Sequence, residues 1–164
     1  MKVRALITVL LLMLSAAAQQ TPAPGVLTSA EVKRVIPQNF FFGGRLAPTQ
    51  QGQAAGARFN SGKLVLTAIL ETSGYATSLP QKLQGMLISE VPLSIAGSEL
   101  KPGAYGFAFN GGKFVVMDVG AHTVLSVGAE RDEQMKAAVP LKLVQAGNDY
   151  RLYAGRDFVV VKER

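Results

Sequence analysis

The chain has 164 residues, 48% of them hydrophobic, with a formal net charge of +6 and no cysteine. The lack of cysteine excludes thiol catalysis, zinc–thiolate centres and disulfides, so stability has to come from packing and hydrogen bonds. A single histidine, His122, excludes multi-histidine metal sites.

Lys2 and Arg4 precede an apolar block, Ala5 to Leu14, and the small residues Ser15 to Ala18 follow it. This is the pattern of a secretory signal peptide over residues 1–18, cleaved after Ala18. The block is short of the roughly 20 apolar residues that a membrane-spanning helix needs, so no membrane span is expected. No cysteine follows it to carry a lipid, and the expectation is a soluble exported protein, periplasmic or extracellular. Residues 19–164 hold 15 Lys and Arg against 11 Asp and Glu. The cations read as scattered and are not interleaved with aromatics, so nucleic acid is not an expected partner.

Residues 19–26 are polar and proline-broken and read as a flexible tether, leaving 27–164 as one β-rich domain. Thr28 and Glu31 have capping-box spacing, with Leu27 and Val32 placed as a hydrophobic staple, and a short helix is predicted to end before Pro37. Val32, Val35 and Ile36 form its expected apolar face. After Phe40–Phe42, the stretch Gly43 to Gly62 is rich in Gly, Gln and small residues and reads as a long loop. Loops of that length are usually functional or disordered, so Arg45, Gln50, Gln51 and Arg58 are its candidate binding residues. Lys63 to Leu70 is apolar on both faces, as in a central strand covered from two sides. Glu71 to Leu83 reads as a second long connection, with Tyr75 as its aromatic binding candidate.

Gln84–Ser89 and Pro92–Ala96 read as one strand interrupted at Pro92. Leu100 to Val127 is the best-specified stretch, three strands joined by two tight turns: Tyr105, Phe107 and Phe109 alternate with Ala104, Gly106 and Ala108, and Gly111-Gly112 supplies a turn. Acids early in Ala129–Ala138, Lys136 late and Pro140 beyond read as a second short helix. Leu141–Gln145, Tyr150–Ala154 and Phe158–Lys162 read as three closing strands. About ten short strands and two short helices predict a mainly β fold, an antiparallel β-sandwich or flattened barrel.

Motifs for chemistry are weak. Ser98-Glu99-Leu100-Lys101 has the S-x-x-K spacing of penicillin-recognising enzymes, but Pro102-Gly103 follows and the partner motifs are missing. Gly56 to Lys63 departs from a phosphate loop in spacing and in Leu64. Asp118, His122 and Ser126 lie close in sequence, yet a two-residue turn at Gly120-Ala121 puts Asp118 on the face opposite His122. Glu71, Glu90 and Asp118 are the strand-associated acids that a glycosidase-like pair would draw on. The segments Leu100 to Phe107 (Leu-Lys-Pro-Gly-Ala-Tyr-Gly-Phe) and Tyr150 to Arg156 resemble hairpin entries of small exported bacterial β-domains of uncharacterised function. That resemblance implies the fold and export, and carries over no activity or site residue. The reading is a non-enzymatic exported module, without cofactor or metal, that binds an unknown ligand or envelope component through its long loops. A barrel carrying an apolar ligand beside Phe107, Phe109, Phe114 and Val116, and a hydrolase whose acids converge only in the fold, are the alternatives.

Overall fold

The computed structural model describes residues 22–73 and 83–164. The leader, its cleavage position, the first three residues of the tether and Tyr75 lie outside the described residues. The first half of the chain runs β1 (Gly25–Val26), α1 (Ser29–Val35), β2 (Asn39–Phe42), β3 (Arg45–Arg58), β4 (Leu64–Leu70), β5 (Gly85–Ser89), β6 (Leu93–Ile95) and β7 (Ser98–Leu100). The second half is β8 (Gly103–Asn110), β9 (Lys113–Met117), β10 (Thr123–Gly128), β11 (Glu130–Arg131), β12 (Val139–Ala146), β13 (Asp149–Gly155) and β14 (Asp157–Glu163). All pairings are antiparallel. One sheet has the order β1-β3-β4-β5-β8-β9-β10 with β2 added along β3; the other is β12-β13-β14-β6-β7 with β11 on β14. The two pack as a β-sandwich, with β12 beside β1 and β3 along one seam and β7 beside β10 along the other.

The first sheet is buried on both faces, as the pattern of β4 requires. Val65 joins the core between the sheets with Phe107, Phe109, Phe114, Val116, Leu152 and Val161. Leu66, Ala68 and Leu70 point the other way, into a second core closed by Val32 and Ile36 of α1 and by Phe40 and Phe42 of β2. Thr67, buried in the same strand, donates its hydroxyl to the Met86 carbonyl at 3.0 Å. Helix α1 begins with the expected capping box: the Thr28 hydroxyl accepts from the Glu31 amide while the Glu31 carboxylate accepts from the Thr28 amide at 2.8 Å.

The alternation in β8 has a cause beyond facing in or out. Phe107 and Phe109 point into the inter-sheet core, and the small residues between them receive the second core. A Cβ on Gly106 would stand 2.5 Å from the Phe42 ring, and one on Gly85 would stand 2.5 Å from the Ala68 carbonyl oxygen and 2.6 Å from Phe107. Glycine at these two positions leaves room for a phenyl ring on each side of the sheet.

Several expectations are corrected. Gly43 to Gly62 is not a long loop: Gly43-Gly44 is a two-residue turn, and Arg45–Arg58 is a 14-residue strand. Its start pairs with β2, its end with β4 and β1, and the register shifts between Thr49 and Ala54. Those partners supply the hydrogen bonds and packing that its glycine- and glutamine-rich composition does not advertise. Gly25–Val26, assigned to the tether, is paired to the same strand. Val35, assigned to the apolar face of α1, is 46% exposed. Gln84–Ser89 and Pro92–Ala96 do not form one interrupted strand; β5 and β6 belong to different sheets, and the chain crosses between them at Glu90–Pro92. Ala129–Ala138 forms no helix. It has no apolar stripe to bury and instead lies beside the Tyr153–Phe158 pair on the outside of the second sheet, where Tyr153 donates to the Asp132 carboxylate at 3.1 Å.

One buried hydroxyl ties the seam. Tyr150, 2% exposed and set edge-on against Phe59, donates to the Arg58 carbonyl at 2.8 Å, linking the second sheet to β3. Tyr150→Phe should cost about 1–3 kcal/mol, the usual cost of removing the partner of a buried polar group. Gly106→Ala should cost about 1–3 kcal/mol or more through overpacking. Gly52→Ala, where nothing lies within 4 Å of the added carbon, should stay within about 0.5 kcal/mol of wild type. Urea unfolding of the three variants checks the ranking.

Candidate functional site

The two sheets part at one end of the sandwich. There the end of β4 (Ile69, Leu70) with Thr72, the entry to β5 (Leu83, Gln84), Phe109 of β8, Pro140 of β12 and the β13–β14 corner (Ala154, Gly155, Asp157) surround a cleft of about 470 Å³. Leu83, Leu70 and Phe109 make its floor apolar, and each belongs to a core through its other side.

Two polar side chains of the cleft, Gln84 and Asp157, have partners. The Gln84 amide donates to the Phe109 carbonyl at 2.9 Å and accepts from the Phe109 amide at 2.9 Å, so it acts as one more ladder pair just before β5 begins. Asp157, on the rim, accepts from Arg131 at 3.0 Å. The geometry therefore offers an open cleft with polar and apolar surface in similar measure, its apolar part on the floor. Sequence reading missed this cleft because its walls come from the ends of five strands; Gln84, a lone amide opening an apolar run, is its faint sequence signal.

Among the described residues, those nominated from sequence do not form one site. Arg45 follows the β2–β3 turn and Arg58 ends the same strand, so roughly 40 Å of extended chain separates them. Gln50 and Gln51 lie in the register shift between them, and Gln50 accepts from Gln53 at 2.6 Å. Arg58 is half-buried and donates to the Gly62 carbonyl at 3.1 Å, which gives it a role in holding the β3–β4 turn. Phe107, Phe109, Phe114 and Val116 lie between the sheets, and the three rings pack on one another with centroids 4.8 to 6.3 Å apart. They fill that space as core.

The acids are also placed apart and are engaged locally. Glu71 accepts from the Ser73 amide at 3.1 Å and Glu90 from the Leu64 amide at 2.8 Å. The face assignment of Asp118 is corrected. The turn holds three residues, Val119 to Ala121, so Asp118 opposes His122, and its carboxylate lies 3.3 Å from the imidazole Nδ1. Ser126 pairs with Val115 further along the ladder and is not part of this contact. Among the described residues no group of three or more His, Cys, Asp or Glu gathers as a metal site, and no helix is long and apolar enough to cross a membrane.

No family model, curated protein or solved structure matches this chain.

Hydrogen bonding from the His122 amide, with the His122 side chain and the Gly120 amide adding to it, holds the Asp118 carboxyl below its ordinary pKa. A group depressed in the folded state stabilises the fold above its unfolded value, about 4, and loses that contribution as pH falls through the folded value. Wild type should therefore exceed Asp118→Asn in stability above about pH 4, with the gap closing at lower pH. Thermal unfolding of both proteins across pH 2 to 6 checks the direction.

Proposed function

We propose that the chain is an exported, non-enzymatic binding domain whose ligand site is the cleft at the open end of the sandwich. The observation that carries this reading is a cleft of about 470 Å³ with an apolar floor and with the Gln84 and Asp157 side chains already paired. That size lies within the range of about 300–1,000 Å³ typical of small-molecule sites. The ligand class that fits is a small apolar or amphipathic molecule lying along Leu70, Leu83 and Phe109. This moves binding away from the Gly43–Gly62 stretch, which is strand. It also changes the carrier reading, since a ligand would sit at the end of the sheets and not among Phe107, Phe109 and Phe114, where the rings occupy the interior.

Titration with the neutral fluorophore N-phenyl-1-naphthylamine tests the site. Wild type should show saturable enhancement, and Ala154→Phe, which places a ring in the cleft from its rim, should weaken binding about tenfold or more. Arg45→Gln combined with Gln50→Ala should leave it unchanged. Equal binding by wild type and Ala154→Phe would sink the assignment, provided both unfold at similar temperatures.

A further inference from the structure

The net charge of the domain is not spread evenly. Between Glu31 and Glu71 the sequence contains no acid and five cations, Lys33, Arg34, Arg45, Arg58 and Lys63, whereas residues 71–164 carry ten of each sign. The cations are scattered along the chain as read, and the segment is basic because the acids are missing from it. In the fold this segment forms α1, the β2–β3 ribbon and β4, and the first two make the layer covering the outer face of the first sheet.

The same layer carries apolar side chains on its outer side. Phe40 and Phe42 are buried against the sheet, so Phe41 between them points away at 51% exposure, and its cross-strand partner Leu46 is 66% exposed. Val35 of α1 is exposed as well, and Lys33 and Arg34 stand exposed on the same helix, whereas Arg45, opposite Phe42 across the ribbon, leaves from its inner side. Val119 is also exposed, on the β9–β10 turn whose carbonyl at that residue accepts from the Gly43 amide at 2.9 Å. The acids at hand are few and engaged: Glu31 in the capping box, and Asp118 by the Gly120 and His122 amides.

We infer that the outer side of the α1 and β2–β3 layer is a docking surface for an anionic lipid bilayer. The charge of the layer complements anionic headgroups. Phe41 and Leu46, separate apolar side chains among cations, match the composition of an interfacial anchor. A bilayer takes up projecting apolar groups without a shaped pocket, which favours lipid over an acidic protein as the occupant. This inference does not depend on the cleft.

The chain has no tryptophan, so a single introduced one reports its own surroundings whatever the N-terminal apolar block does. Full-length Leu46→Trp should show blue-shifted emission, quenched by brominated acyl chains, with phosphatidylcholine vesicles containing phosphatidylglycerol. The shift should be weak with phosphatidylcholine alone and should fade in 1 M salt. Val144→Trp, on the outer side of the second sheet, should not respond. Adding Lys33→Gln and Arg34→Gln to Leu46→Trp should lower partitioning roughly 25-fold, about fivefold per cation. An unchanged Leu46→Trp spectrum with anionic vesicles, an equal response from Val144→Trp, an equal response to neutral vesicles, or a response to polyglutamate and not to vesicles would each overturn the inference.

Discussion

The packing of Phe42 against the bare backbone at Gly106, with Phe107 against Gly85 on the opposite face, is the constraint on which the rest of the molecule depends. A sheet strand normally presents side chains of some size to both faces. Here the central strands are thinned at matched points, so that rings from two layers approach the same backbone closely. That makes the first sheet the middle of three layers and lets β4 and β5 be buried on both sides. Close packing of this kind leaves little room for adjustment, because an interior at crystal-like density transmits a misfit of one carbon to its neighbours.

The second sheet is attached by a different device. Tyr150 crosses from it to β3 with a hydroxyl that donates to the Arg58 carbonyl at the end of that strand. Gln84 does the same at the opposite need, giving Phe109 the two bonds that a longer β5 would have given. In both places a side chain stands in for a missing strand. The cleft opens where Gln84 makes that substitution, just before β5 begins.

Legibility in the sequence followed how local the determinants are. The capping box of α1, the Gly111-Gly112 turn and the two-sided apolar pattern of β4 involve neighbours within a few residues, and all are present as read. Strand β3 was illegible because its partners are β1, β2 and β4, and composition alone does not show that three strands lie beside a glycine- and glutamine-rich stretch. The segment 129–138 misled for a complementary reason: its charges and Pro140 suit a helix, but without an apolar stripe nothing holds one in place. The Asp118–His122 contact was missed by a single residue of turn length, since adding one residue exchanges the faces of every side chain beyond it. The cleft was illegible because no segment contains more than a small part of it.

The three-layer arrangement also decides which surfaces remain open to a partner. One face of the first sheet is spent on the second sheet and the other on α1 and the ribbon. The second sheet's outer side is partly closed by the Glu130–Lys136 region, with Tyr153 and Phe158 stacked beneath Arg151. What is left is the outer side of the α1 and ribbon layer and the open end of the sandwich. The two differ in chemistry, one broad, basic and dotted with apolar groups, the other concave with an apolar floor and a polar rim. A domain that binds a small molecule at its end while resting on a charged surface by its side would use both without either disturbing the packing between Phe42 and Gly106.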